Sequence, residues 1–343
     1  MDQLYYEKEF YDDQSGRPLR HDLAVKARKT EMDFFKRMRV YVKVPRSEAV
    51  NGGYKIITTK WIDINKGDDR IPNYRSRLVG RELKLDNRLD LFAATPPLES
   101  LRTLCSLCSS NQRRHNPYRI LSIDVRRAYF YAEARRPVYI EIPEEDRRPE
   151  DEGMVARLNL SLYGTRDAAQ NWAREYTNFL RSIGFIPGVA SPCNFKHSDR
   201  ELFVTVHGDD FTITGPLEDL QWLDCKFQGK YEVRSEYLGP DGICKPELRV
   251  LNRVIRWTGE GIEYEPDQRH AEIIIKELNM MNAKPVVTPG TSETKEEFEE
   301  WEVSPAMVPA DATAYRALAA RLNYLAMNGF VSCTIHHGTH NHE

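Results

Sequence analysis

Two adjacent aspartates, Asp209 and Asp210, lie between two apolar stretches, residues 202–206 and 211–214. Apolar stretches that flank a short segment with glycine predict a β-hairpin, with both carboxylates at its tip. Another aspartate, Asp124, ends a mostly apolar stretch farther upstream. If the fold places these strands side by side, three carboxylates converge, and they cannot all stay ionised without a cation. Such hard oxygen ligands suit Mg²⁺, which favours phosphate chemistry.

Each of these aspartates also has an ordinary structural explanation. Aspartate tolerates turn geometry and bonds to its own backbone, so an Asp-Asp pair in a hairpin is more often a turn than a site. The same holds for Asp124 considered alone. The metal-site interpretation therefore depends on the residues that accompany the aspartates.

The basic residues are concentrated locally, although the formal net charge is only −3. One basic segment spans residues 70–88, and another spans residues 113–127 around Asp124. Basic patches of this kind suit a polyanionic ligand. The basic side chains of the first segment are Arg70, Arg75, Arg77, Arg81, Lys84 and Arg88.

Length and composition describe an ordinary water-soluble protein with more than one domain or subdomain, since 41% of the 343 residues are hydrophobic and 29% are charged. The first residues are too polar for a secretory signal, and no stretch approaches the roughly 20 apolar residues that span a bilayer. We therefore expect an intracellular protein that is not secreted and has no membrane role. Cys105 and Cys108 are expected to be buried thiols of a helix, because no second pair at zinc spacing accompanies them.

Periodicity predicts the elements that must position these residues. Helices are predicted over residues 24–35, 100–110, 167–183, 217–227, 267–280 and 312–326. Residues 40–42 and 54–64 are β-rich stretches that predict a hairpin or small sheet, and the basic segment should continue it as strands or their connecting tip. Strands are predicted, besides the Asp209 hairpin, over residues 118–125 and 138–142, and another starts at residues 231–233. The irregular alternation of helices and strands favours an α+β fold, with helices packed on a mostly antiparallel sheet.

Longer blocks add a more specific pattern. In Asp124–Phe130 an aspartate is followed five residues later by an aromatic residue, and residues 160–172 join Ser-Leu-Tyr-Gly to a downstream tryptophan. Residues 74–81 form a basic block, and two further blocks span residues 283–289 and 315–326. Together these five blocks resemble, in the same order, those of the copia-type LTR retrotransposon reverse transcriptases, the RNA-directed DNA polymerase region of a Pol polyprotein.

The resemblance implies a right-hand polymerase with fingers, palm and thumb, in which helices cover an antiparallel palm sheet. The implied segments are an N-terminal helical extension (1–37), interleaved fingers and palm (38–230), a thumb-like subdomain (231–292), an acidic Pro/Glu linker (293–311), and a terminal helix with a disordered His-rich tail (312–343). Members of the family normally continue into an RNase H domain. We expect this chain to be truncated before that domain.

The resemblance also implies primer-dependent DNA synthesis on an RNA template by two-metal nucleotidyl transfer. Asp124 and Asp209 would bind two Mg²⁺ ions, or Mn²⁺, to activate the primer 3′-hydroxyl and to carry the incoming triphosphate. Asp210 would complete the acidic cluster. Tyr129 corresponds to an aromatic gate that leaves no room for a ribose 2′-hydroxyl.

Further residues match positions that contact nucleotide or nucleic acid. The resemblance assigns the incoming nucleotide to Arg75, Arg77, Tyr163 and Gly164, and the nucleic-acid backbone to Arg70, Arg81 and Lys84. The implied partners are an RNA or DNA template, a primer strand, deoxynucleotides and other Pol products such as integrase and RNase H. The implied location is a cytoplasmic virus-like particle or the nucleus.

One departure from the family pattern lies beside the paired aspartates. Members usually have a tyrosine and an apolar residue before them, whereas His207 and Gly208 occupy these positions here. We expect the change to affect packing against the primer end and fidelity. Two other functions stay open: an inactive retroelement remnant that binds nucleic acid, and a nucleotidyl cyclase with a palm-like sheet, which would need neither the basic block nor Tyr163.

Overall fold

The computed structural model describes residues 9–83, 91, 93–266, 268–284, 294–295, 307–328 and 333–336. The chain divides into two compact units, one formed by residues 1–100, 123–213 and 218–235 and the other by residues 101–122, 214–217 and 236–343. The helices are α1 (His21–Met38), α2 (Arg46–Asn51), α3 (Leu98–Ser110), α4 (Ala168–Ser182), α5 (Leu217–Gln228), α6 (Arg269–Glu277) and α7 (Pro309–Asn328). Short 3₁₀ helices span Ala128–Tyr131, Glu144–Asp146 and Pro149–Asp151.

The strands form several sheets. The first nine are β1 (Phe10–Tyr11), β2 (Pro18–Leu19), β3 (Tyr41–Pro45), β4 (Ile56–Ile57), β5 (Thr59–Asn65), β6 (Tyr74–Gly80), β7 (Tyr118–Val125), β8 (Tyr139–Ile140) and β9 (Met154–Leu158). The others are β10 (Phe185–Pro187), β11 (Asn194–His197), β12 (Phe203–His207), β13 (Asp210–Pro216), β14 (Val233–Leu238), β15 (Glu247–Val250), β16 (Arg253–Trp257), β17 (Gly261–Pro266) and β18 (Cys333–His336). The sheet orders are β1-β2, β10-β11-β12-β13-β7-β14, β15-β16-β17-β18, β3-β9-β8-β4 and β5-β6.

The six-stranded sheet holds the predicted aspartates. Strand β7 lies between β13 and β14, and nearly every residue of β7 is buried. A strand covered on both faces has a nearly continuous apolar sequence, which explains the apolar stretch before Asp124. Asp124 is the exposed exception within β7.

The basic block forms one strand of a separate hairpin. Strands β5 and β6 pair antiparallel, with Arg77 opposite Ile62 and Arg75 opposite Ile64. Side chains alternate along a strand, so Ser76 and Leu78 are buried while Arg75 and Arg77 lie on the other face. The buried face joins a hydrophobic cluster of the first unit, which contains Met32, Phe34, Phe35, Val40, Ile57, Leu78, Phe130, Val138, Ile140, Ile142, Ala156, Leu158 and Leu162.

Most predicted elements are confirmed, and β7 has the predicted bounds. The β-rich stretch at residues 54–64 is confirmed, and the chain there forms the two separate strands β4 and β5. The prediction for residues 138–142 is too long, since only Tyr139–Ile140 pair. Helix α2 was not predicted, because its six residues are too few to show a helical period.

The mixed helix and strand content agrees with the predicted α+β class, whereas the subdomain boundaries stay predictions. Within the tail expected to be disordered, Cys333–His336 form β18, which pairs with β17. Lys84, Arg88, most of the predicted linker and residues 337–343 lie outside the described residues. Cys105 and Cys108 are buried in α3, as predicted.

Within the described part of the chain, no helix is both long and apolar enough to cross a membrane.

Candidate active site

Asp209 lies in the two-residue turn between β12 and β13, and Asp210 begins β13, which confirms the predicted hairpin. Gly208 has a φ of +66°, and Asp209 is not among the residues with positive φ. A positive φ at the first turn residue alone is the pattern of a type II′ turn, which favours glycine at this position. Gly208 in place of a larger residue therefore supplies the turn without backbone strain.

A buried tryptophan holds this turn in place. The indole N–H of Trp172 donates a 2.7 Å hydrogen bond to the carbonyl of Gly208. Trp172 lies in α4, and its ring meets that of Phe211 edge to face, with centroids 6.3 Å apart. The tryptophan of the Ser-Leu-Tyr-Gly block is therefore a core residue that also fixes the hairpin tip.

The structure brings Asp124 and Asp209 together. Strands β7 and β13 are neighbours, and the Val125 N–H donates a 3.0 Å hydrogen bond to the Asp209 carbonyl. Burial raises the pKa of Asp124, and the negative charge of Asp209 raises it further, against the opposing charge of Arg75. Two carboxylates that repel each other at the end of two strands form a natural cation site.

Asp210 is partly buried at the start of β13. Burial, followed by the charges of Asp209 and Asp124, raises the pKa of Asp210 to about 7. Among the described residues, no group of three or more His, Cys, Asp or Glu side chains is arranged to hold a metal ion. The expected convergence of three carboxylates on one ion is therefore not seen, and the candidate ligands are Asp124 and Asp209.

This pair of carboxylates nevertheless fits Mg²⁺. Magnesium is commonly bound by one or two carboxylates, while water and substrate phosphates complete its octahedron. Asp124 is exposed and Asp209 is partly exposed, so both can reach an ion and a phosphate from solvent.

Cations of the β5–β6 hairpin lie within electrostatic reach of the aspartates. Burial lowers the pKa of Arg75, and the charge of Arg77 lowers it further. Burial also lowers the pKa of Lys66, as do the charges of Arg75 and Arg77, while those of Asp124 and Asp209 raise it. Crowded like charges of this kind favour a bound anion.

Two tyrosines line the same cluster. The rings of Tyr129 and Tyr163 lie 4.4 Å apart at 33°, and the Arg77 guanidinium lies 4.9 Å from the Tyr163 ring centroid. Burial raises the pKa of Tyr129, and the charge of Asp209 adds to this effect. Among the described residues, Arg77 Nε and the Tyr163 hydroxyl are buried without a hydrogen-bond partner.

Gly164 joins its loop to the basic strand. Its φ is +81°, and an added Cβ would lie 2.1 Å from the Gly80 carbonyl oxygen. The Gly80 N–H donates a 2.7 Å hydrogen bond to the Tyr163 carbonyl. Glycine is therefore required here for the approach of two backbone segments, and its predicted contact with nucleotide stays a prediction.

The other predicted phosphate contacts lie at the surface. The side chains of Arg70 and Arg81 are exposed. Their backbone N–H groups bond to the Asp68 side chain and to the Thr58 carbonyl, at 2.8 Å in both cases. Their roles stay predictions, and Lys84 lies outside the described residues.

The sequence reasoning missed three residues of this region. Lys66 directly follows β5 and lies outside the basic segment at residues 70–88, and Trp172 appears in the sequence only as the tryptophan that follows the Ser-Leu-Tyr-Gly block. Glu31 belongs to α1, where its charge acts on Arg75, Arg77 and Arg127. Lys66 is placed here by the pairing of the two hairpin strands, since its N–H bonds to the Asn73 carbonyl at 2.9 Å. Only the register of this hairpin could have indicated Lys66.

Known proteins similar to this chain are reverse transcriptases and retrotransposon Pol polyproteins. Residues 41–292 match the family described as "Reverse transcriptase (RNA-dependent DNA polymerase)". The chain is similar to the retrovirus-related Pol polyprotein from transposon TNT 1-94 of Nicotiana tabacum, with 25% identity over 77% of this chain and 19% of the polyprotein. It is also similar to the Pol polyprotein from transposon RE2 of Arabidopsis thaliana, with 24% identity over 79% of this chain and 18% of the polyprotein.

The chain therefore spans about a fifth of these polyproteins. Among solved structures, it is similar to the foamy viral protease-reverse transcriptase dRH in complex with double-stranded DNA, with 14% identity and a TM-score of 0.40 over 88% of this chain and 44% of that one. The family match covers more than two thirds of the chain, and the polyprotein matches confirm the resemblance to the copia-type elements. The chain belongs to the reverse transcriptase (RNA-dependent DNA polymerase) family.

Proposed function

We propose that this chain synthesises DNA from a primer on an RNA template, by nucleotidyl transfer at Asp124 and Asp209. Membership of the family supports polymerisation as the reaction. The observation that carries the proposal is the placement of Asp124 on β7 beside Asp209, which lies in the turn that leads into the neighbouring strand β13, with Lys66 and Arg75 close enough to interact with these carboxylates electrostatically. An acidic pair opposed by cations suits a metal-bound triphosphate.

The reaction forms one bond and breaks another. The primer 3′-oxygen bonds to the α-phosphorus of the nucleotide, the bond between the α-phosphorus and the leaving pyrophosphate breaks, and the 3′-hydroxyl proton passes to solvent water. When bound, Mg²⁺ would make the attacking hydroxyl more acidic and offset the charge of the triphosphate. Asp124 and Asp209 are the residues that would hold it.

Protein cations stabilise the triphosphate in this proposal. The guanidinium groups of Arg75 and Arg77 can donate paired hydrogen bonds to phosphate oxygens, which gives geometry as well as charge. Lys66 adds a compact charge from the hairpin end. The Arg77 side chain is only partly buried, although its Nε is enclosed and has no hydrogen-bond partner among the described residues.

Tyr129 would select the sugar. Its ring packs on Tyr163, which in turn lies against the Arg77 guanidinium. A ring held in this way cannot move aside for a ribose 2′-hydroxyl without losing these contacts. Tyr129 therefore acts as the gate against ribonucleotides.

The partners that follow from this proposal are a template strand, a primer and deoxynucleotides. Because the relatives are Pol polyproteins, we also propose that the chain works with other Pol products such as integrase and RNase H.

Primer extension tests the proposal. The chain is incubated with an RNA template, an annealed DNA primer, labelled deoxynucleotides and Mg²⁺ or Mn²⁺. We expect RNA-directed extension that stops when the metal is chelated and in Asp209→Asn. Asp199→Asn is the control, since Asp199 is an exposed loop aspartate that bonds to Ser198.

Two other outcomes would contradict the proposal. Binding of the primer-template without extension would indicate a nucleic-acid-binding remnant. Formation of a cyclic dinucleotide from GTP alone would indicate a nucleotidyl cyclase.

A further inference from the structure

The N-terminal helix α1 presents one face to the turn that carries Tyr129. Glu31, Phe34 and Phe35 lie at positions i, i+3 and i+4 of this helix, so they share a face. All three are buried, and the Phe35 ring lies 4.8 Å from the ring of Phe130, the residue after Tyr129. The family match begins at residue 41, so this helix lies outside the matched range.

Glu31 forms an ion pair with Arg127. Its Oε2 accepts a 2.7 Å hydrogen bond from Arg127 Nε, and only 2% of Glu31 is exposed. The Arg127 guanidinium also lies over the Phe34 ring, 4.2 Å from its centroid. Helix α1 therefore holds the Arg127 side chain by both a carboxylate and an aromatic face.

Arg127 occupies an unusual backbone position. Its φ is +52°, in the left-handed region that residues with a side chain seldom adopt. It directly precedes the 3₁₀ helix Ala128–Tyr131, and its carbonyl accepts a 2.9 Å hydrogen bond from the Phe130 N–H. The chain thus turns at Arg127 from β7, which carries Asp124, into the helix that carries Tyr129. Contacts that hold Arg127 decide where this turn lies.

Glu31 also has an oxygen that no neighbour satisfies. Among the described residues, its buried Oε1 has no hydrogen-bond partner. Burial raises the pKa of Glu31, against the opposing charges of Arg127, Arg77 and Arg75. Replacing buried ion pairs by apolar residues of similar volume is often neutral or stabilising, so stability alone does not explain this carboxylate.

We infer that Glu31 is a positioning residue for the sugar gate: through Arg127 it fixes the turn and the 3₁₀ helix that set Tyr129 beside the nucleotide. The inference rests on the proposed function, because Tyr129 is a gate only if the site takes nucleotides. Glu31 itself acts through Arg127 and does not touch the substrate.

The test is the sugar preference of Glu31→Ala in primer extension. The readout is kcat/KM for a deoxynucleotide divided by kcat/KM for the matching ribonucleotide, which does not depend on the fraction of active protein. We expect this ratio to fall about tenfold, because small displacements of positioned groups change rates by up to about a hundredfold. Glu31→Gln keeps an oxygen acceptor for Arg127 Nε, so it should retain most of the wild-type ratio.

Arg127→Ala removes the other partner of the ion pair, and it provides the test if Glu31→Ala does not fold. It should lower the ratio to the same extent, and the double variant should show no further loss. Arg28→Leu is the matched control, because Arg28 lies on the same helix and is buried with ion pairs to Asp63 and Glu145. This control should lower the free energy of unfolding and leave the ratio unchanged.

A wild-type ratio in both Glu31→Ala and Arg127→Ala would overturn the inference, as would an equal fall in Arg28→Leu. A wild-type chain that extends no primer would instead contradict the proposed function, so the two failures are distinguishable.

Discussion

At the residue scale, the turn that carries Asp209 is held by a hydrogen bond to its backbone. Trp172 donates to the carbonyl of Gly208 and not to a carboxylate, so the tip is fixed while Asp209 keeps its oxygens for an ion. Among the large aromatic side chains, only tryptophan has an indole N–H that can donate this hydrogen bond. A substitution of Trp172 therefore tests the position of the turn without changing the carboxylate of Asp209.

Trp172→Phe removes the donor and keeps most of the packing. We expect the free energy of unfolding to fall by about 1–3 kcal/mol, because the Gly208 carbonyl loses its partner. We also expect kcat for primer extension to fall while the dissociation constant for primer-template stays unchanged, since the turn moves and the binding surface does not. Trp222→Phe, on α5 against Arg200, is the control and should not change kcat. An unaltered kcat in Trp172→Phe would refute the role of this bond.

Two glycines with positive φ predict contrasting effects of an added methyl group. An added Cβ at Gly208 meets nothing within 4 Å, whereas one at Gly164 would lie 2.1 Å from the Gly80 carbonyl oxygen. Gly208→Ala should therefore cost about 1–2 kcal/mol from its backbone conformation alone. Gly164→Ala should cost more than about 4 kcal/mol, because the backbone of β6 must also move. Urea unfolding of both variants measures the two losses in the free energy of unfolding. Equal losses would contradict the close approach of Gly164 to the Gly80 carbonyl.

At the element scale, α1 is tied to its neighbours by a buried aspartate. Lys36 of α1 lies 3.0 Å from Asp146, and Tyr41 of β3 donates a 2.7 Å hydrogen bond to it. Lys43 of β3 lies 3.3 Å from the same carboxylate. Burial alone would raise the pKa of Asp146, but these hydrogen bonds and charges outweigh it and lower the pKa below the ordinary value of 3.8.

This shift predicts how the stability depends on pH. A carboxyl with a lowered folded pKa adds stability above its unfolded value, and that stability is lost as pH falls through the folded pKa. Asp146→Asn should therefore lower the free energy of unfolding at pH 7 by about 1–3 kcal/mol. The difference from the wild type should shrink as the pH falls below about 4, near the unfolded value. Denaturant unfolding from pH 3 to pH 7 measures it, and a constant difference across this range would contradict the linkage.

At the scale of the whole molecule, sequence patterns predicted the elements better than their assembly. The hairpin at Asp209 and strand β7 follow from local apolar runs and turn residues, which act over a few positions. The neighbours of β7 in the sheet depend on contacts between distant segments, which no local pattern contains. The resemblance to the family, not periodicity, placed Asp124 beside Asp209.

The same distinction applies to the candidate site. Arg75 and Arg77 share a face because β6 alternates, which the sequence alone indicates. Glu31 and Trp172 are placed near the site by the packing of α1 and α4. Both residue types are ordinary in helices, so neither marks a site in the sequence. The positive φ of Arg127 has no sequence signal, since arginine does not favour that conformation.

The rate of single-nucleotide addition in three neighbouring variants tests the central claim most directly. Asp124→Asn and Asp209→Asn should lose at least about a thousandfold, because a bound metal contributes several kcal/mol to the transition state. Asp210→Asn should stay within about tenfold of the wild type, because it lies outside the proposed ligand pair and at most orients it. Primer extension by Asp209→Asn within tenfold of the wild-type rate would contradict the proposed ligand pair, as would a loss in Asp210→Asn as large as that in Asp209→Asn.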